Sequence, residues 1–173
     1  MRHGSVFKMV VATAALENNT ITTKTTVNDT GIYPRGHNPA CWIYTSRHYG
    51  HGYLNVTEAI KKSCNYFFYE LGYKMGIDPV IKYAKSYGLG IKTGIELSGE
   101  SKGIVDLKDY CKETTGQEWQ FGDTLSAVIG QSYNSYTPIQ IARYTSMLAN
   151  GGKSVDVTLI KSIIDSDGNK VPK

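Results

Sequence analysis

The segment Met9-Val10-Val11-Ala12-Thr13-Ala14-Ala15-Leu16 carries no charge and, wound as a helix, is apolar all round. A helix without a polar face has to be enclosed on every side. The rest of the chain is therefore bound to wrap this element, which the sequence places from about Ser5 to Glu17, with a stop at Asn18-Asn19. Gly4 permits a sharp entry. Lys8 lies within this apolar helix and so begins in a low-dielectric setting. Ser5 and Lys8 are three apart, on one helical face. A serine is a poor nucleophile until a neighbouring base takes its proton. A lysine can be that base only if burial or another cation lowers its pKa. At the first turn of a helix, backbone N–H groups and the positive dipole end also stabilise developing negative charge. A Ser-x-x-Lys pair alone is common, so the chemistry rests on partners further along the chain.

The 173 residues, 40% hydrophobic and 20% charged, can bury a real core as one domain. A net charge of +4 with no basic block argues against a nucleic-acid partner. No stretch reaches the length of a membrane span and no leader peptide is evident, so the chain is not expected to carry its own anchor. Residues 20–55, rich in Thr, Gly, Pro and His, suggest loop and short extended pieces. Asn55-Val56-Thr57 then opens a long helix, with Thr57 as a cap and Ile60, Cys64, Phe67, Phe68, Leu71 and Met75 at helical spacing, up to Gly76. Asp78-Pro79 starts the next helix, Val80 to Tyr87, which stops at Gly88. Gly88 to Gly99 reads as turns and short strands. Thr137-Pro138-Ile139-Gln140 is a capping box opening a helix to Leu148. Val155 to Lys173 alternates around an Asp167-Gly168 turn, which predicts a hairpin.

The long helix carries Ser63-Cys64-Asn65, a hydroxyl and a carboxamide two apart, about sixty residues after Ser5-Val6-Phe7-Lys8. That order matches the S-x-x-K and S-x-N elements of serine penicillin-recognising enzymes. With Gly50-His51-Gly52, Gly88-Leu89-Gly90 to Gly94-Ile95-Glu96-Leu97, and Ile129-Gly130-Gln131, the chain resembles the transpeptidase domain of a class B, monofunctional penicillin-binding protein of the elongation or spore-wall type. The resemblance covers nearly all of residues 1–173. It implies an α-rich α+β architecture: the helical part of the penicillin-binding-protein and serine β-lactamase-like fold, with a C-terminal β-hairpin and most of the central sheet missing. It further implies a D,D-transpeptidase that forms a serine acyl-enzyme with D-Ala-D-Ala stem peptides, crosslinks peptidoglycan and is acylated by β-lactams. The expected setting is the extracytoplasmic face of the bacterial membrane, beside a SEDS-family glycosyltransferase. The alternative is a penicillin-binding sensor or receptor that acylates without crosslinking. A hydrolase would need a deacylating carboxylate near the nucleophile, and no Glu is placed for it.

Carried over residue by residue, the resemblance makes Ser5 the acylated nucleophile and Lys8 its base. Ser63 relays a proton towards the leaving amine, and Asn65 orients the substrate amide and Lys8. It also implies a zinc ion on Asp29, Cys41, His51 and Cys64, since elongation-type relatives hold one through an aspartate, a residue before a Trp, the His of Gly-His-Gly and a Cys inside the second motif. A structural zinc wants four such ligands. A Cys41–Cys64 disulfide, as in extracytoplasmic proteins, and free thiols with Cys64 packing as a small apolar group are the competing readings. Cys111 reads as a bystander in a charged loop, His37 as a loop histidine and His48 as a reserve ligand.

Four departures from the family qualify this. His3 stands where proline is usual, so native sequence is expected to resume at Gly4. The anchor, pedestal and first strands of relatives have no counterpart. The family's Lys-Thr-Gly falls after the Thr-Pro-Ile-Gln helix, beyond Lys173, while Lys92-Thr93-Gly94 comes too early and should be an exposed turn remote from Ser5. Gln131 is followed by Ser132 where many relatives have glycine. Without the sheet, the apolar faces around Leu16, Phe67 and Ile141 are expected to lack a partner. The chain alone is therefore expected to be catalytically weak or inert.

Overall fold

A computed structural model describes residues 4–171. His3 lies outside the described residues. The apolar segment forms helix α1, Lys8–Glu17, entered through a 3-10 turn over Gly4–Phe7 rather than as one continuous α-helix from Ser5. Val10, Val11, Ala14 and Ala15 are fully buried, as an all-apolar helix requires. The small side chains of α1 let two helices approach closely, α4 (Asn65–Met75) and α5 (Asp78–Ser86). Pro79 sits in the first turn of α5, where its missing N–H costs no hydrogen bond. α8 (Pro138–Ala149) opens with the expected capping box between Thr137 and Gln140. Its Tyr144 hydroxyl donates to the Val6 carbonyl at 3.0 Å, which ties α8 to the turn that presents Ser5.

The long helix expected from Asn55 to Met75 is two helices. α3 spans Val56–Lys61, and α4 begins at Asn65. The break falls on Ser63, whose backbone adopts φ +50°, so the left-handed residue turns the chain sharply between them. The N-cap of α3 is Asn55, in a reciprocal box with Glu58, and not Thr57. The Cys64 sulfur accepts from the Phe67 amide and so caps α4.

Two further helices occur where loop was expected, α2 (Trp42–Arg47) and α6 (Leu107–Thr115), and a third, α7 (Phe121–Ala127), forms where the sequence pattern assigns no element. Cys111 lies buried on α6, not in a loop. No strand forms between Gly88 and Gly99, where turns and short strands were expected. The Gln140 side chain pins that region by donating to the carbonyls of Ile91 and Lys102. Strand β1 (Val27–Asp29) pairs antiparallel with β2 (Gly52–Leu54), and the C-terminal hairpin joins β3 (Ile163–Ile164) to β4 (Lys170–Val171). Phe67, expected to lack a partner, is fully buried; Leu16 and Ile141 are half-buried against the same core. The wrapping helices supply that cover from within the chain. No helix among the described residues is long and apolar enough to cross a membrane.

Candidate active site

Ser5 is exposed in the 3-10 turn, and Lys8 one turn later is only 2% exposed. The 3-10 turn is held against the loop after α7: the Gly4 amide donates to the Gly130 carbonyl at 3.1 Å. A Cβ at Gly130 would come within 2.0 Å of the Gly4 carbonyl oxygen, so this position admits only glycine. The break between α3 and α4 aims Ser63 and Asn65 at the same point. The Ser63 hydroxyl donates to the Ser5 hydroxyl at 2.7 Å. The Lys8 amine donates to Ser63 Oγ at 3.0 Å, to the Ser63 carbonyl at 2.8 Å and to Asn65 Oδ1 at 2.6 Å. Ser63 therefore bridges the lysine and the exposed serine. The Phe68 ring lies 5.5 Å from the Lys8 amine.

Burial drives the Lys8 pKa down from 10.5 to about 8, against the upward pull of Cys64 and Cys41. At neutral pH this raises its neutral, proton-accepting fraction roughly 300-fold over an ordinary lysine. The arrangement can therefore deprotonate a hydroxyl and return the proton along a path of three polar groups.

A second cluster lies directly behind the first. The β1–β2 register sets Asp29 opposite Gly52, which brings its carboxylate to His51 Nδ1 at 2.7 Å. Gly50 allows this because a Cβ there would meet the Asp29 carbonyl oxygen at 2.0 Å. Cys41, at the start of α2, and Cys64, at the start of α4, complete the set. The four donor atoms lie within 4.8 Å of one another.

The two sulfurs are 3.9 Å apart, and Cys41 Sγ is 3.7 Å from His51 Nδ1. These two spacings match edges of a zinc tetrahedron, about 3.8 Å for two sulfurs and about 3.6 Å for sulfur and nitrogen. Asp29 Oδ2 sits at hydrogen-bond distance, 2.7 Å from His51 Nδ1 and 3.2 Å from Cys64 Sγ, and would have to move outward to admit an ion. Both cysteines are free thiols, so the disulfide reading does not hold. Burial acts to raise the Asp29 pKa, but hydrogen bonds from His51, the Gly31 amide and Cys64 outweigh it and hold the carboxyl below its usual range. The contact between the two sulfurs holds Cys41 below the ordinary thiol value, while the same contact and burial push Cys64 above it. One of the pair is thus poised to be a thiolate.

The remaining candidates fall elsewhere. His48 caps α2 in a left-handed conformation, exposed and edge-on to Tyr44, and takes no place among the four donors. His37 is exposed beside Gly122. The Thr93 amide and hydroxyl and the Gly94 amide all donate to the Glu100 carboxylate, and Lys92 is exposed, so Lys92-Thr93-Gly94 is a clamped surface turn. Sequence reasoning missed Trp42 as more than a neighbour of Cys41. Its indole N–H donates to the Lys62 carbonyl at 3.1 Å, just before Ser63. Nothing in the sequence pattern signals that contact, because it depends on the turn at Ser63.

The penicillin binding protein transpeptidase domain matches residues 1–173 in full. The chain belongs to that family. It is 35% identical over 162 residues to the peptidoglycan D,D-transpeptidase MrdA of Haemophilus influenzae, covering 92% of this chain and 24% of that protein. Stage V sporulation protein D of Bacillus subtilis is 34% identical over 176 residues, covering 98% of this chain and 25% of its own length. The chain thus spans about a quarter of the length of these curated relatives. Among solved structures, Pseudomonas aeruginosa PBP2 in complex with WCK 5153 superposes with a TM-score of 0.85 at 32% identity, over 99% of this chain and 39% of that one. PBP2 of Helicobacter pylori in its complex with MreC gives 0.83 at 35% identity, over 91% and 29%.

Proposed function

We propose that this chain forms the nucleophile-bearing part of a peptidoglycan D,D-transpeptidase at the extracytoplasmic face of a bacterial membrane. The observation that carries this reading is the continuous Lys8–Ser63–Ser5 hydrogen-bond path around an exposed serine. Ser5 Oγ attacks the carbonyl carbon of the penultimate D-Ala of a stem peptide. Its proton passes to the Lys8 amine, through the Ser63 hydroxyl that lies between them. The C–N bond to the terminal D-Ala then breaks, and the proton returns along the same path to the departing amine. An acceptor amine from a second stem peptide attacks the Ser5 ester and restores the hydroxyl. Asn65, accepting from Lys8, fixes the amine, and its NH2, one N–H of which faces Tyr69, has a second N–H for the substrate amide. β-Lactams enter the same first step and acylate Ser5.

The geometry of Asp29, Cys41, His51 and Cys64 supports a zinc ion held by those four side chains. Four protein donors leave no open position, so the ion would serve structure and tie residues 20–55 to the helix start bearing Ser63 and Asn65. The partners of this reading are stem peptides and, in the membrane, a SEDS-family glycosyltransferase. A relative solved with MreC, and one in a peptidoglycan synthase complex, are in keeping with such an assembly.

Fluorescent penicillin labelling of the full-length protein tests the central claim. Ser5→Ala should abolish the label, and Lys8→Ala should slow it by two orders of magnitude or so, the usual scale of general-base loss. Labelling that survives Ser5→Ala would refute the assignment.

A further inference from the structure

Ser63 occupies a left-handed backbone conformation that a serine seldom adopts, at φ +50°. Two peptide units flank it, and all four of their polar atoms are engaged. The Ser63 amide donates to the Ile60 carbonyl at 3.0 Å and the Cys64 amide to the Ala59 carbonyl at 2.9 Å. Those two bonds come with the end of α3. The Ser63 carbonyl accepts from Lys8 at 2.8 Å, a bond made by the reacting cluster itself. The fourth, from the Trp42 indole N–H to the Lys62 carbonyl at 3.1 Å, comes from a side chain outside that cluster. The indole is held in turn by its neighbours: Trp42 follows the buried Cys41, and its ring packs edge-on against His51 at 5.6 Å.

We propose that Trp42 is a positioning residue for acylation. By holding the Lys62 carbonyl it fixes the peptide plane before Ser63, and so keeps the Ser63 hydroxyl 2.7 Å from Ser5. A left-handed serine persists only where its surroundings over-determine it. Beside the backbone bonds to Ile60 and Ala59, Lys8 adds a side-chain grip to the plane after Ser63, and Trp42 to the plane before it. With one grip released, the hydroxyl can swing away while Lys8 and Ser5 stay in place. This inference rests on the acyl-transfer reading of Ser5.

Trp42→Phe in the full-length protein keeps an aromatic ring beside His51 and removes the donor. Acylation by a fluorescent penicillin at saturating concentration should fall about three- to tenfold, the scale of one lost hydrogen bond. The apparent affinity of the complex before acylation should not change. In a Ser63→Ala background the same substitution should cost nothing further, because no hydroxyl remains to be positioned. A general loosening would lower the rate in both backgrounds alike. Amide hydrogen exchange should also quicken at Ser63 and Cys64 but not along α1. A wild-type rate in Trp42→Phe, an equal loss in both backgrounds, or unchanged exchange at Ser63 would overturn the proposal. Label that persists in Ser5→Ala would instead sink the acyl-transfer reading, so the two failures are distinguishable.

Discussion

Lys8 is where sequence and environment meet most closely. Its position inside an uncharged segment foretold burial, and burial lowers its pKa to about 8. A base works only when neutral, so the protonated amine below that pKa is idle. Acylation of the full-length protein should therefore climb between pH 6 and 9 with a midpoint near 8, read by stopped-flow labelling. A flat profile, or a fall with rising pH, would remove Lys8 from the role. Lys92 offers the contrasting residue. It sits in a turn whose Thr93 and Gly94 donors are spent on Glu100. Lys92→Ala should leave the acylation rate within twofold of wild type, which the same assay measures. The tripeptide Lys-Thr-Gly thus carries no meaning without its place in the fold.

At the scale of elements, the periodic apolar positions from Val56 to Met75 predict one helix where the structure has two. Ile60, Cys64, Phe67, Phe68 and Leu71 do lie at helical spacing. Periodicity cannot register one left-handed residue, because Ser63 interrupts the phase without adding a Gly or Pro to mark it. That interruption lets Ser63 and Asn65 face Ser5 from the start of α4, where a continuous helix would bury one of them. The cap at Asn55 holds the first half. Asn55→Ala breaks a reciprocal box and should destabilise the protein by about 1 kcal/mol, measured as a lower urea midpoint at constant slope. An unchanged midpoint would mean that α3 is held by packing alone. α2 and α7 are not legible in the sequence because they are only six and seven residues long, and tertiary contact rather than propensity makes such helices stable. α6 is amphipathic, with Leu107 and Cys111 buried one turn apart, and its charged residues mask that pattern.

For the whole molecule, the decisive question is what orders residues 20–55, which are rich in Thr, Gly, Pro and His. Their fixed points are the β1–β2 pairing, the core side chains Ile21, Tyr33, Ile43 and Leu54, and the Asp29, Cys41, His51, Cys64 cluster. If zinc fills that cluster, its removal should lower the melting temperature and slow acylation together, because Cys64 lies between Ser63 and Asn65. Dialysis of the full-length protein against a chelator under reducing conditions, followed by calorimetry and penicillin labelling, would show this. Elemental analysis that finds no zinc in chelator-free protein would end the metal proposal.

By itself the sequence determined the buried α1, the capped α5 and α8, the terminal hairpin, the family, and the residue types of both clusters. The elements come from local rules, apolar periodicity and caps; the Ser5 cluster from motifs spaced along the chain; and the Asp29, Cys41, His51 and Cys64 set only from the resemblance to the family. Only the tertiary structure decided that Ser63 turns left-handed, that Asp29 and His51 meet across a two-stranded ladder, that Cys41 and Cys64 stay 3.9 Å apart as thiols, and that Trp42 reaches Lys62. Each of those joins residues or backbone conformations whose energies depend on partners distant in sequence, and no local pattern contains a distance.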